Sequence, residues 1–168
     1  MTSKWFFKKK HIYYNQIILA QLTYIELMTK QKSIGKRPVT PLLTVDAVII
    51  TNEGKIILIK RKNPPFGWAL PGGFVDVGET VEEACKREAK EETNLDVKIE
   101  RLLGVYSDPR RDARGHTVSI VFLCKIIGGS MKADDDAEEI SAFSKDEIDK
   151  LQIAFDHRQI IADSGVFH

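Results

Sequence analysis

Apolar positions along this chain fall into two periods, one that reads as strands and one that reads as helices. Residues 42–51 (LLTVDAVIIT) and 55–62 (KIILIKRK) predict two strands, and Asn52-Glu53-Gly54 between them is a hairpin signal. A Pro-rich loop at 63–67 leads into a short strand at 68–70, and a glycine-rich loop spans 72–78. Residues 97–107 and 117–127 predict two longer β-branched strands joined by the charged loop DPRRDARGH, with Gly128-Gly129 as the turn after them. An acidic loop covers 131–139, and 140–143 adds a short strand. Helices are predicted at 81–93, at 145–151, where Ser144 and Glu147 form a capping-box pattern, and at 156–163. Upstream, Ile18, Leu22 and Ile25 recur at helical spacing, so 11–32 predicts an amphipathic helix followed by a Gly/Pro linker at 33–41. Strands predominate, which gives an α/β (α+β) class fold with a mixed sheet packed between helices.

The helix at 81–93 carries the chemistry. Thr80 and Glu83 form a capping box at its start, and Asn94 is a tolerable left-handed residue after its end, with Leu95 as the apolar contact. Side chains step round a helix by about 100° per residue. On that wheel Glu88, Glu91 and Glu92 continue the stripe of Val81, Ala84 and Cys85, while Glu82, Glu83, Lys86, Lys90 and Thr93 occupy the solvated side. Acids on a core-facing stripe repel one another and cost desolvation, and a divalent cation relieves both. Oxygen-only ligands favour Mg²⁺ or Mn²⁺ over zinc. The plainer alternative is a glutamate-rich helix whose inner acids are paired by arginine, and Arg87 is the competitor for one of them.

Composition narrows the class without choosing the reaction. A chain of 168 residues is about one domain, and its apolar and charged fractions are those of a globular protein. Cys85 and Cys124 are too few for a disulfide scaffold and read as buried thiols in a reducing, cytoplasmic setting. The net charge of +1 hides +7 over residues 1–37 and −6 over the rest. The apolar run after Lys10 is broken by Asn15, Gln16, Gln21 and Glu26, so no membrane span is read. Residues 1–37 read as a basic extension to a domain at 38–168: a docking or dimer helix, or an upstream segment of a chain whose natural start is Met28, rather than a nucleic-acid or membrane arm.

The segment from Gly73 resembles a known family. Gly73, Glu79, Arg87-Glu88, Ala89, Glu91-Glu92, Asn94 and Leu95 match the spacing of the Nudix box, with Asn94 where the family usually has Gly. Asn also visits the left-handed region, so that departure is minor. The similarity runs over about 41–163. The resemblance implies a Nudix fold, a mixed sheet sandwiched between helices, and Mg²⁺-dependent hydrolysis of a nucleoside diphosphate linked to another moiety. It implies that Glu88, Glu91 and Glu92, joined by the Gly72 carbonyl, bind the metal, and that Glu79 and Arg87 pair to brace the helix. Glu91, Arg87 and an acid of the loop before Ile140, Glu139 ahead of Glu138, are the catalytic candidates. Gly73 and Phe74 let the backbone approach the diphosphate. The plainer reading of Glu139 is a solvated acidic turn.

Substrate is read from the loop after the first long strand. Arg110, Arg111 and Arg114 are placed to hold an anionic substrate, since guanidinium forks suit phosphate. His116 reads as a strand-start histidine without a role. Pro109, fourteen residues after Leu95, the RGH run and PPFGWALPGGFVDVGE resemble the ADP-ribose pyrophosphatase branch. That implies ADP-ribose plus water giving AMP and ribose 5-phosphate, in a homodimer. Rival readings are the same chemistry on a nucleotide sugar, NADH or an oxidised nucleoside triphosphate, or an ADP-ribose-sensing module without turnover. The intact set of acids speaks for catalysis.

Overall fold

The computed structural model describes residues 38–132 and 137–167, apart from the side chains of Ala137 and Glu138. The helix expected at 11–32 and the centre of the acidic loop lie outside the described residues. Strands β1 (Leu42–Ile50), β2 (Ile56–Arg61), β3 (Trp68–Ala69) and β4 (Gly72–Phe74) precede helix α1 (Val81–Thr93). Strands β5 (Leu95–Tyr106), β6 (Thr117–Gly129) and β7 (Ala137–Phe143) follow, then α2 (Lys145–Ile148) and α3 (His157–Asp163).

One mixed sheet holds all seven strands. Its main path runs β3-β2-β1-β6-β5, with β4 added on β1 and β7 on β2. β1 and β6 are parallel, from Leu42 opposite Thr117 to Ile50 opposite Lys125, whereas β5 and β6 are antiparallel with three register shifts. The predicted hairpin is present: the Thr51 amide donates to the Lys55 carbonyl at 2.9 Å, and Gly54 takes φ +73°, which a glycine adopts without steric cost.

Strand alternation sorts the core into two layers. Val45, Ala47 and Ile49 of β1 face one way, with Ile57, Phe122 and Cys124, against Ala84, Cys85 and Ala89 of α1. Val48, Ile56, Leu58 and Val121 face the other way, against Ile148 of α2 and Ile160 and Ile161 of α3. Burying each large aliphatic side chain contributes about 1.5–3 kcal/mol. The sheet therefore lies between helices, as the pattern predicts. Among the described residues no helix is long and apolar enough to cross a membrane.

Several expected boundaries differ, each for a pairing reason. Gly72–Phe74 is a strand rather than part of a loop, because it pairs with β1: Asp46 lies opposite Gly72 and Thr44 opposite Phe74. Gly128 and Gly129 continue β6 instead of turning the chain, opposite Asp96 and Leu95. A side chain on Gly129 would collide with the Asn94 carbonyl, so glycine lets β6 pass the end of α1. The acidic loop stops early, since β7 begins at Ala137 and sets Glu139 opposite Lys60. Thr93, expected on the solvated face, is fully buried, because the chain turns directly into β5 over it. Its hydroxyl donates to the Ala89 carbonyl and accepts from the Leu95 amide. The helix at 145 stops at Ile148, where 3₁₀-type bonding from the Leu151 amide to the Ile148 carbonyl tightens its end.

Candidate active site

Helix α1 begins where its sequence predicts. Thr80 Oγ1 accepts the Glu83 amide at 3.2 Å, and Glu83 accepts the Thr80 amide at 2.8 Å. Asn94 closes the helix at φ 58° and returns its amide to the Lys90 carbonyl at 2.8 Å. Fixed at both ends, α1 presents Glu88 and Glu92 to a cleft of about 390 Å³ that Gly72, Gly73 and Phe74 also line, whereas Glu91 is not among the lining residues.

The three box acids do not share one environment. Glu92 is packed into the wall, its carboxylate accepting the Gly72 amide at 2.8 Å. Glu88 lies against Gly73 so closely that a side chain there would strike its carboxylate. Glu91, placed by the wheel on the same stripe, keeps 56% of its side chain exposed. Burial pushes Glu92 up to about 8, against the lowering effect of the Gly72 amide and with the charges of Glu88 and Asp46 adding to the rise. Glu88 is raised as well, burial outweighing the pull of Arg87.

Arg87 organises the outer side of these acids. It forks onto Glu79 at 2.6 and 3.1 Å, and its Nη1 reaches Glu88 at 2.7 Å and Glu91 at 3.1 Å. Its Nη2 also donates to the Phe74 carbonyl at 3.0 Å, which ties the helix to β4. The guanidinium holds Glu79 below the usual carboxylate range, and Arg87 is raised chiefly by Glu79. With Arg87 between Glu88 and Glu91, no three Asp, Glu, His or Cys side chains among the described residues are arranged as a ready metal cage.

The cleft floor is a buried polar network that sequence reasoning did not find. Asp46 of β1 is 7% exposed and accepts the Ser119 hydroxyl. Arg111, its side chain 4% exposed, forks onto Asp156 at 2.9 and 2.8 Å, donates to Thr117 Oγ1 at 3.0 Å and lies 3.6 Å from Asp46. His157 accepts the Leu70 amide on Nδ1 at 2.9 Å, and its Nε2 is 3.5 Å from Asp46. That amide makes Nδ1 the acceptor and leaves the Nε2 proton facing Asp46. Burial lowers the His157 pKa. The available signals were an isolated acid in the apolar run of β1 and an Asp-His pair at the start of α3.

The structure sorts the remaining expected residues. Arg114 lines the cleft and forks onto Asp112 at 3.0 and 2.8 Å. Arg110 is turned to solvent with 89% of its side chain exposed and is paired with its neighbour Asp108. Arg111 reaches the cleft floor, but its fork is taken by Asp156. Glu139 stands on the exposed side of β7, 3.9 Å from Lys60, and is not among the cleft-lining residues. His116 is exposed, its Nε2 3.2 Å from the Ser107 carbonyl.

A family model, the NUDIX domain, matches residues 40–164. The chain belongs to the NUDIX family. Its Nudix domain is 58% identical over 125 residues to an ADP-ribose pyrophosphatase of Methanocaldococcus jannaschii, a likeness covering 73% of this chain and 72% of that protein. It resembles the crystal structure of a bifunctional NMN adenylyltransferase/ADP ribose pyrophosphatase of Francisella tularensis complexed with AMP and a Mn ion. There the identity is 32% and the TM-score 0.67, over 88% of this chain and 47% of that one. It also resembles the NUDIX domain of Shewanella oneidensis NrtR complexed with ADP ribose, at 27% identity and a TM-score of 0.68, over 80% of this chain and 95% of that one. In this Nudix chain the box thus comprises the end of β4, the turn after it, α1 and the first residue of β5.

Proposed function

We propose that this Nudix chain is a pyrophosphohydrolase that converts ADP-ribose and water into AMP and ribose 5-phosphate with Mg²⁺, and with Mn²⁺ as a substitute. The observation that carries the reading is the pair of desolvated acids, Glu88 and Glu92, in a cleft whose wall also holds arginine. The likeness to a protein named ADP-ribose pyrophosphatase supplies the substrate.

The donor set fits a hard divalent cation: it offers oxygens only, and burial raises both partly buried acids, Glu88 and Glu92, above the usual carboxylate value. Glu88, Glu91, Glu92 and the Gly72 carbonyl would hold it. When bound there, Mg²⁺ would offset the diphosphate charge and lower the pKa of a water for in-line attack on phosphorus. Arg87 is also held by Glu79 and the Phe74 carbonyl, so it can stay in place while a contact to Glu88 or Glu91 is exchanged. Glu91, the most exposed of the three acids, would take a proton from the attacking water, with Glu139 of β7, of similar exposure, as the second candidate. Gly73 and Phe74 approach the substrate by backbone, and Arg114 supplies positive charge from the cleft wall. We assign Arg110 and Arg111 lesser parts in binding, one paired at the surface and one committed to Asp156.

A homodimer and a cytoplasmic setting complete the proposal. Leu102 and Val105 expose apolar surface on β5, and the buried thiols of Cys85 and Cys124, 3.9 Å apart, suit a reducing compartment. The deciding experiment is AMP release from ADP-ribose with Mg²⁺, with EDTA as control, beside nucleotide sugars, NADH and oxidised nucleoside triphosphates. The expected result is Mg²⁺-dependent release fastest with ADP-ribose. Equal or faster turnover of a nucleotide sugar overturns the substrate, and tight ADP-ribose binding without turnover overturns the enzyme.

A further inference from the structure

Two guanidinium groups that α1 does not supply meet on one aromatic ring in the cleft. Arg61 Cζ lies 4.8 Å from the centroid of the Phe155 ring and Arg114 Cζ lies 5.1 Å from it, and all three residues line the cleft that takes Glu88 and Glu92. Phe155 has φ 55°, a left-handed conformation that is a true outlier for a bulky side chain. The neighbouring backbone holds it there. The Ala154 amide donates to the Trp68 carbonyl at 2.8 Å, and Asp156 and His157, the next two residues, belong to the buried network below. A strained residue kept by its surroundings, with its ring in a cleft, points to a use for the ring.

The use follows from the charges. Arg114 is compensated by the buried Asp112. Arg61 Nε–H donates to the Pro65 carbonyl at 2.9 Å, and its Nη atoms donate no hydrogen bond among the described residues. Burial first, and then the charge of Arg114, pull the Arg61 pKa down, against smaller opposing effects of Glu92, Asp112 and Asp46, so Arg61 is held beside a second cation at a cost. A ring face relieves part of that cost. A phosphoryl group relieves the rest, because its oxygens match a guanidinium fork and its charge offsets both cations.

We infer that Arg61 and Arg114, propped on the Phe155 ring, form a subsite for a phosphoryl group of the substrate, with Arg61 as its main donor and Phe155 as the residue that positions both. The inference rests on the reading of the chain as a diphosphate hydrolase and adds to it two residues, Arg61 and Phe155, with a stated role.

The test uses inorganic pyrophosphate and adenosine as separate ligands for the metal-free protein, measured by calorimetry, beside ADP-ribose kinetics with Mg²⁺. The variants are Arg61→Gln, Arg61→Lys and Phe155→Asn; Asn accepts the left-handed backbone, so the last removes the ring without adding strain. In Arg61→Gln, pyrophosphate binding weakens about tenfold or more and KM for ADP-ribose rises by a similar factor, the scale of one lost charge-assisted hydrogen bond. Adenosine binding stays at the wild-type level. Arg61→Lys and Phe155→Asn lose about threefold or more of pyrophosphate affinity, since a lysine lacks the fork and an unpropped arginine pays more to be ordered. Should Arg61→Gln fail to fold, judged by its circular dichroism melt, the other two variants decide. Wild-type pyrophosphate binding in the folded variants overturns the subsite, and so does a loss confined to adenosine, which would make the ring a base platform. If the wild-type protein does not turn over ADP-ribose while pyrophosphate binding still depends on Arg61, the substrate reading falls and the subsite stands.

Discussion

The Glu92 carboxylate accepts the amide hydrogen of Gly72 at 2.8 Å, joining α1 to β4 across twenty positions of the chain. This bond places a partly buried acid beside the glycine whose carbonyl we propose as a metal ligand. Burial pushes Glu92 up to about 8 from the 4.5 of a free carboxyl. In the metal-free fold, stability from this group is therefore complete below about 4.5 and is lost as pH rises through 8. Glu92→Gln removes that loss. Its metal-free Tm is expected to exceed the wild-type value at pH 9 by several degrees, at roughly 2–4 °C per kcal/mol, and to equal or trail it at pH 5. Turnover falls about 10²-fold or more, the worth of a lost cation site. Near-normal turnover, or a variant that melts lower than wild type at pH 9, sinks the assignment.

Arg87 couples Glu79 to the acids, and it does so as a fork. Lysine offers a point charge that cannot span Glu79 while also reaching Glu88. Arg87→Lys and Glu79→Gln should each raise the Mg²⁺ concentration for half-maximal activity by about 10-fold, the usual cost of losing a residue that orients metal ligands. Because both act through one bridge, the double variant should be no worse than the worse single one. Mg²⁺ titrations of kcat/KM decide the matter, and losses that multiply would show the two residues working separately.

How much of this was legible beforehand follows from the range of each interaction. The caps of α1 were readable because Thr80 and Glu83 are three residues apart, and Asn94 adjoins the helix it ends. The acid stripe was readable because helical rotation is local, but its exposure was not: only the packing of β4 on β1 decides that Glu92 is partly buried and Glu91 wet. Thr93 was misplaced for the same reason, since the strand that buries it follows the helix without a loop. The Asp46–Arg111–Asp156–His157 network joins residues up to 111 positions apart through a parallel β1–β6 pair, and no local pattern announces it. Arg110, Arg111 and Arg114 look alike in sequence, yet their partners Asp108, Asp156 and Asp112 send them to three different places.

Gly72 and Gly73 adjoin one another, and their alanine variants should fail differently. A side chain at Gly73 meets the end of Glu88, which can swing aside. Gly73→Ala is therefore expected to fold and to need about 10-fold more Mg²⁺, since Glu88 loses its place. At Gly72 the added carbon meets the Val45 carbonyl, which is part of the β1 ladder and cannot move. Gly72→Ala should lose about 1–3 kcal/mol of stability, as overpacked sites do. Urea melts and Mg²⁺ titrations on both variants separate the two effects. A stable Gly72→Ala, or a Gly73→Ala with wild-type Mg²⁺ dependence, contradicts the packing of β4.

His157 gives the fold a defined response to acid. It is buried, accepts the Leu70 amide, and faces Asp46, Asp156, Arg111 and Arg61. Burial holds its pKa below the 6.5 of a free histidine, outweighing the two acids. Above about 6.5 the ring is neutral in both folded and unfolded chains, and stability does not depend on it. As pH falls below 6.5 the unfolded chain takes up a proton that the fold refuses, so stability declines toward the depressed folded pKa. The steepest slope one proton can give is about 1.4 kcal/mol per pH unit. His157→Gln keeps an acceptor for Leu70 and cannot titrate. Glu88 and Glu92 push the pH dependence the opposite way, so the measurement is the difference between wild type and variant at saturating Mg²⁺. Urea unfolding from pH 7.5 to 5 should show wild type losing stability faster than His157→Gln below 6.5, with parallel curves above it. Parallel curves throughout would mean that the folded ring takes up its proton as readily as the unfolded one, and that Leu70 is held by something other than Nδ1.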